Sequence, residues 1–523
     1  MQTKMQPCFH CACPAYMFQQ PNQLVCASCG HNYFQHLQLP SAGDDQHVPL
    51  SAEQQAVVDF VLRGAGNALV SAYAGSGKSK TLRQCILAAA SRLGADENVL
   101  AVAFNARTRE SLAVGTSNYQ NIHVHTFHSL SLKLLREDMG GRLEYEKTKL
   151  ESAISRSNRL TPDQQFALAK IIGLAYNTCR VDYAAMCAEY ELDICDTDLE
   201  VVLAEVPIVL ARMERILADS GKFEFDELLF MTSKINLATK YQYIFVDECQ
   251  DVNAIQLQLI TQLLDPAGRL IVVGDEFQSI YGFRGAIPNV LQTISTQFAC
   301  HRFNLSICFR CPQSVVAYAQ NIIVANPPMQ ISPTATMGQI ARVVYSIAAA
   351  YMAPGHYVLC RQNSPLIILA MQLFQQKRPV IVVGEESLSR TLHALLSVTN
   401  ALEGIEKYRR VNLADAATRR QYTRMRFVTE IATVGTRLIT TLGLDGARNF
   451  VKDVIRSERP PHSNTCIQLM TIHKSKGEQC SNVWILETPP VDNIDGWKAD
   501  EERNLLYVAC TRSKQTLIYV TSE

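Results

Sequence analysis

The chain has 523 residues, of which 47% are hydrophobic and 19% charged, and its 49 basic residues balance its 49 acidic ones. Such a length suggests on the order of three to four domain-sized units, and such a composition excludes a disordered or collagen-like chain. The neutral charge removes any general electrostatic argument for nucleic acid, while a local basic groove stays open.

No stretch of about 18 or more apolar residues occurs, so no spanning helix is expected and no membrane partner is called. The N-terminus, MQTKMQPCFH, lacks the apolar core of a signal peptide. An intracellular site is therefore expected, cytoplasmic or nucleoid-associated, or nuclear in a eukaryote. The 17 cysteines then read as thiols and metal ligands and not as a disulfide framework.

Residues 1–36 hold CFHCACP and CASCGHNYF, that is Cys8-x₂-Cys11 and Cys26-x₂-Cys29. Two such knuckles separated by a turn-rich spacer suit tetrahedral Zn²⁺, which makes this head a small zinc ribbon. The glycine after Cys29 permits the tight turn. A segment this small buries too little apolar surface to fold alone, so the metal would supply its stability. Cys13, His10 and His31 remain alternative ligands, and a redox pair or iron–sulfur cluster remains an alternative use. The head would contact DNA or a partner protein, or only cap the chain. Residues 37–49, rich in proline and polar residues, read as a linker.

From residue 50 apolar strands alternate with amphipathic helices, the pattern of a parallel sheet covered on both faces. NALVSAYA, NVLAVAF, YQYIFVDE and RLIVVGD are its candidate strands. The first lobe is expected over 50–298, with a helical insertion at about 130–222. SAYAGSGKSKTL follows a strand and opens a helix, as a P-loop requires. Gly75, Ser76 and Gly77 form the turn, Lys78 carries the charge for phosphates, and Ser79 has the hydroxyl for Mg²⁺. Ala72 stands where the pattern usually has its first glycine.

YIFVDECQD delivers Asp247 and Glu248 to the C-terminal end of a strand, where ligands bind in open α/β sheets. Asp247 would hold Mg²⁺, and Glu248 would orient and deprotonate an attacking water. Next comes GDEFQSIYGFRGA, which sets Gln278, Tyr281, Phe283 and Arg284 within a few residues. A second α/β lobe is expected over 299–523, with RFNLS as its first strand. A reduced helical insertion at about 402–461 carries Lys407, Arg409, Arg410, Arg419, Arg420, Arg424 and Arg426. That basic stretch suits a face beside a duplex or a solvated charged surface.

Taken together, AGSGKS, VDECQD and GDEFQSIYGFRGA resemble motifs I, II and III of UvrD/Rep-like superfamily 1A DNA helicases. LSAEQQAV resembles the Q motif, with Gln54 at the adenine-reading position. AVAFNARTRE and HTFHSL resemble motifs Ia and Ib, and FEFDELL the segment before motif II. NLSICFRCP resembles motif IV, QLMTIHKSKGEQ motif V, and ERNLLYVACTRS motif VI. The resemblance runs from about Leu50 to the C-terminus, in family order. HTFHSL and the compact size are similar to the F-box DNA helicase branch, although no F-box is seen.

The resemblance implies two RecA-like motor domains that hydrolyse ATP with Mg²⁺ and move 3′ to 5′ on single-stranded DNA or at single-strand/duplex junctions. It implies that Gln278 senses the γ-phosphate and that Arg284 also reaches the nucleotide side. Arg310 and Arg512 become arginine fingers supplied by the second lobe, worth roughly 10³-fold or more in rate. His128, Tyr281, Phe283 and His473 are placed on the single-strand path, where rings stack bases with little sequence preference. The family commonly has tryptophan at the position of Phe283. Gln479 takes the place of a glutamate that contacts the nucleotide sugar or the lobe interface.

The biological setting would be replication, repair or recombination, with a protein of that machinery met through the ribbon. A translocase that strips proteins without unwinding, and an ATP-switched scaffold, stay as rivals. No nuclease domain is expected, since almost no chain follows motif VI.

Overall fold

Runs of β-branched and aliphatic residues, buried on both faces, build the first sheet. The computed structural model describes residues 49–521 apart from 95–96, 117–118, 142, 158–159, 191, 193–195, 385, 398–399, 419–421, 457–462 and 488–496. The cysteine-rich head, including Cys8, Cys11, Cys26 and Cys29, lies outside the described residues.

β1 (Ala68–Ala72), β2 (Val99–Ala103) and β3 (Ile122–Thr126) are each followed by a helix. The two-residue strands β4 (Glu144–Tyr145) and β5 (Lys222–Phe223) pair with each other inside the helical insertion. β6 (Tyr241–Val246), β7 (Leu264–Gly274) and β8 (His301–Leu305) complete the first lobe. The sheet order is β3-β2-β6-β7-β1-β8, all parallel. One apolar cluster under Leu69, Ile244 and Leu270 and another under Val70, Phe245 and Ile271 cover its two faces.

Two points correct the sequence reading. RFNLS was expected to open the second lobe, yet β8 pairs with β1 along its whole length. It closes the edge of the first sheet, so the chain leaves this lobe after Leu305. β3, IHVHT, was not foreseen as a strand: two histidines alternate with apolar residues and every position is only half-buried.

β9 (Ile307–Cys308) pairs with β10 (Gln330–Ile331) in the crossing between lobes. The second sheet comprises β11 (Gln339–Val344), β12 (Tyr357–Cys360), β13 (Val380–Val383), β14 (Ile455–Arg456), β15 (Ile467–Thr471), β16 (Cys480–Leu486) and β17 (Ser513–Thr521). Its order is β11-β17-β16-β12-β15-β13-β14, again parallel throughout. The helices Ala401–Thr418 and Tyr422–Val454 do not stand apart from this lobe. Ile431, Val434, Leu438, Phe450 and Val451 are buried in the same cluster as the strand residues Val358, Val382 and Leu469. Of the basic residues in this stretch, Arg409 pairs with Glu406 one turn away at 2.7 Å. The side chains of Arg419, Arg420, Arg424 and Arg426 lie outside the described residues. No described helix is long and apolar enough to cross a membrane.

Helices dominate between Thr126 and Tyr241, around a core of Leu168, Ile171, Val206 and Met213. Lys149 and Glu227 form a fully buried ion pair there, with Nζ 2.6 Å from Oε1. Glu224 accepts from the Leu150 backbone at 3.0 Å. The acidic residues of FEFDELL thus dock the insertion onto the lobe, a role that nothing near Lys149 in the sequence signals.

Candidate active site

β1 ends at Ala72, and the P-loop turns through Gly75 (φ +74°) and Gly77 (φ +84°) into the helix Lys78–Ala90. A side chain at either glycine would collide with its surroundings. A Cβ on Gly75 would lie 2.5 Å from Arg310 Cβ, and one on Gly77 2.5 Å from Gln54 Nε2. Besides permitting the left-handed turn, these glycines let other elements approach the loop. Gln54 uses that space as a brace: its Nε2 donates to the Ser76 carbonyl at 2.9 Å and its Oε1 accepts from Ser51 N at 3.0 Å. The amide expected to read adenine therefore holds the P-loop as well.

Lys78 Nζ lies 3.3 Å from the Ala72 carbonyl and 3.9 Å from Asp275 Oδ2. Ser79 lies beside Asp247, whose Oδ1 accepts from Glu248 N at 2.9 Å. Its other oxygen, Oδ2, is buried without a partner. A hydroxyl and an orphaned carboxylate oxygen beside a lysine are the donor set that Mg²⁺ takes at one or two protein positions. Burial pushes the Asp247 carboxyl up, and the neighbouring Glu248 charge adds to this. A bound cation would reverse that shift.

Glu248 adopts a left-handed backbone (φ 52°, ψ 43°), unusual for a residue with a side chain. Such strain costs about 1–3 kcal/mol and persists where surrounding contacts impose it. Those contacts are Gln250, which donates from Nε2 to the Glu248 carboxylate and accepts through Oε1 from Asp275 N. Burial by itself would raise the Glu248 carboxyl, but Lys78, Lys476, Gln250 and Arg512 outweigh it and hold the carboxyl well below its usual range.

The second lobe closes this group. Arg512 is 1% exposed, donates from Nη2 to Gln278 Oε1 at 3.1 Å, and is fixed by the Val508 and Glu478 carbonyls. Tyr507 Oη accepts from Ala74 N at 3.0 Å and donates to Asp275 Oδ2 at 3.4 Å. Lys476 Nζ reaches Asp251 and, at 2.6 Å, the Gln278 carbonyl. Neither Lys476 nor Asp251 was singled out from the sequence, although both lie inside the motif stretches. Arg310 does not come from the body of the second lobe: it follows β9 in the crossing and donates to the Thr511 carbonyl at 3.3 Å. Gln479 is exposed, in the loop that leads to β16.

The rest of motif III faces elsewhere. Arg284, expected on the nucleotide side, sits over the rings of Tyr281 and Phe283, 5.5 and 5.6 Å from their centroids. Its charge is felt by Asp226 and His473. Tyr281 is not an open platform, since it stacks on Phe104 at 5.4 Å with an 18° tilt. Phe283 is the open ring, 49% exposed, with His473 edge-on at 5.8 Å. His128 packs edge-on against Phe225, itself 4.7 Å from Tyr145, and both outer rings are exposed. Phe104 belongs to the rings around motif III, Tyr145 and Phe225 to a second group with His128, and all three escaped the sequence reading because lone aromatics in helical or strand patterns look like core.

These features were compared with known proteins. The UvrD/REP helicase N-terminal domain matches residues 50–299, and the UvrD-like helicase C-terminal domain matches residues 398–523. A probable DNA helicase II homolog of Mycoplasma pneumoniae is 23% identical over 326 residues, 57% of this chain and 45% of that protein. The ATP-dependent DNA helicase Rep of Escherichia coli is 24% identical over 314 residues, 53% of this chain and 44% of Rep. F-box DNA helicase protein 1 of Schizosaccharomyces pombe is 25% identical across 90% of this chain and 57% of its own length. The chain thus spans about half the length of the curated relatives it matches. Since both halves of the family are matched in order along one chain, the protein belongs to the UvrD/Rep-like helicases.

Proposed function

We propose that the chain is an ATP-dependent DNA helicase or translocase that moves 3′ to 5′ on single-stranded DNA. The observation that carries this reading is the set of contacts across the cleft, in which Arg512, Tyr507 and Lys476 meet Gln278, Asp275 and Asp251. An ATP site finished by the second lobe couples hydrolysis to lobe movement.

In this reading Gly75, Ser76, Gly77 and Lys78 hold the phosphates of ATP, and Ser79 and Asp247 hold Mg²⁺. Once bound, the ion neutralises charge on the phosphate oxygens. Glu248, kept ionised by the cations around it, accepts the proton of the attacking water. Gln278 registers the γ-phosphate and hands that state to Arg512 through their hydrogen bond. Arg310 and Arg512 stabilise the charge that develops in the transition state. Gln54 keeps one amide hydrogen for the adenine edge, and Gln479 stands at the sugar. Phe283, with His473 and Tyr281 against it, and His128 beside Phe225, form the floor on which bases stack.

Zn²⁺ in the Cys8, Cys11, Cys26, Cys29 set, with a replication, repair or recombination protein as partner, completes the reading. A translocase that strips proteins from single strands is the second reading. It is favoured by the helices 401–454, which pack into the second lobe and leave no separate domain among the described residues to grip a duplex.

The test is ATP-driven unwinding of matched duplexes with a 3′ or a 5′ tail, with Lys78→Ala as control. Unwinding of the 3′-tailed duplex alone is expected. Preference for the 5′ tail would overturn the polarity. Absence of unwinding with DNA-stimulated hydrolysis intact would select the stripping translocase.

A further inference from the structure

Motif IV reads Ile-Cys-Phe-Arg-Cys, so Arg310 lies inside a Cys308-x₂-Cys311 pair. Both thiols are buried, Cys308 at 0% and Cys311 at 2% exposure. Cys311 N donates to Cys308 Sγ at 3.4 Å, and the Cys311 thiol is close enough to act on its neighbour's acidity. Two cysteines three residues apart on a bend suit the short Cα separation that a disulfide needs.

Their position ties them to the nucleotide site. A Cβ on Gly75 would lie 2.9 Å from Cys308 Sγ and 2.5 Å from Arg310 Cβ, so the dithiol turn rests directly on the P-loop. Cys311 Sγ reaches the Thr511 carbonyl, the same atom that Arg310 Nη1 uses. The apolar cluster around the pair draws Tyr73, Ala74 and Ile280 from the first lobe and Leu505, Val508 and Leu517 from the second. Separation of the lobes would therefore lift the P-loop from Cys308, and closure covers it.

We propose that Cys308 and Cys311 are an oxidation site that closes to a disulfide in the open cleft and thereby disables the arginine between them. With hydrogen peroxide as oxidant, the Cys308 thiolate attacks one peroxide oxygen, becomes a sulfenic acid and expels hydroxide, which takes up the proton the thiol had shed and leaves as water. Cys311 then attacks that sulfur, water leaves again, and the two electrons of the dithiol have reduced one peroxide. A dithiol reductant reverses the step by exchange.

The hydrogen bond from Cys311 lowers the Cys308 thiol, and the backbone N–H groups and Arg310 act in the same direction against burial. The more acidic sulfur is thus the attacking one. Drawing the sulfurs to about 2.05 Å contracts the turn and pulls Arg310 from its place against Gly75 and Thr511. Cys510, whose Sγ donates to the Tyr507 carbonyl at 3.3 Å, is the nearby thiol that would compete.

The inference rests on the ATP-hydrolysing reading, and the test separates the two. The full chain is treated with hydrogen peroxide, with and without a non-hydrolysable ATP analogue, then alkylated and digested with trypsin without reduction. Cleavage after Arg310 puts Cys308 and Cys311 in different peptides, each with a single cysteine, so only their disulfide keeps those peptides joined.

The joined peptides are expected from nucleotide-free protein and at much lower yield with the analogue. ATP hydrolysis should fall roughly tenfold to a hundredfold, as displacement of a catalytic group by about 1 Å does, and dithiothreitol should restore it. Cys311→Ser, with Cys311→Ala as the second variant, should hydrolyse ATP normally in reductant and resist peroxide. Joined peptides with unchanged hydrolysis, a Cys311–Cys510 link, or variants as sensitive to peroxide as the wild type would overturn the proposal. A fully reduced chain that hydrolyses no ATP would instead overturn the functional reading beneath it.

Discussion

Within motif III, the half that carries Gln278 and the half that carries Phe283 lie a few residues apart and have opposite environments. Asp275 and Gln278 are buried, and their polar atoms are matched to Arg512, Tyr507 and each other. Phe283 and Arg284 are exposed, and their neighbours are rings. In the buried half each partner lost leaves a desolvated polar group, whose cost is large. In the open half the rings face solvent, and single losses should be graded. Lys476 touches both, with its Nζ on the Gln278 carbonyl and 5.1 Å from the Tyr281 centroid. The difference teaches where coupling can pass: through a short rigid turn between a charged network and an aromatic floor.

Substitutions should separate the halves, beginning with the buried one. Arg512→Ala should cost about 10³-fold or more in the rate of ATP hydrolysis, read from steady-state turnover at saturating ATP. A loss under tenfold would show that the arginine does not meet developing charge.

Away from both halves, Lys149→Met leaves Glu227 buried without its cation. It should destabilise the fold by about 3–5 kcal/mol, measured by denaturant unfolding, and a change below 1 kcal/mol would place the pair effectively in solvent. Phe283→Ala should weaken binding of an oligo-dT strand by about 1–3 kcal/mol, measured by fluorescence anisotropy. Tyr281→Ala should act more through packing, since its face is already covered by Phe104.

The smallest effect concerns His473. Burial, with Arg361, Arg284 and Lys476 nearby, holds its imidazole down at about 4. In the unfolded chain it takes a proton near 6.5. The unfolded state therefore binds more protons between these values, and stability falls as pH drops from about 6.5 towards 4. His473→Asn should flatten that slope in thermal melts and leave strand binding unchanged in its pH dependence from about 6 to 8. Wild-type binding that tightened sharply on acidification through 6.5 would show a charged imidazole at the strand.

Much of this site was legible because its chemistry is tied to strand ends. The P-loop and the Asp247–Glu248 pair each follow a mostly apolar strand, and a helix or turn opens after them. What stayed hidden depended on distant pairing or on packing. β8 looked like the start of a lobe because a strand's sequence does not name the sheet it joins. Lys149 meets Glu227 across 78 positions of chain. Arg284 and Tyr281 carry the right chemistry for two sides of a turn, and only burial decides which side each one takes.

The most direct test of the coupling claim is steady-state ATP hydrolysis with and without an oligo-dT strand, in wild type and Phe283→Ala. The strand should accelerate wild-type hydrolysis, and the ratio of stimulated to unstimulated rates should collapse in the variant even at saturating DNA. An undiminished ratio in Phe283→Ala would contradict that claim, because the open half of motif III would then have no hold on the buried half.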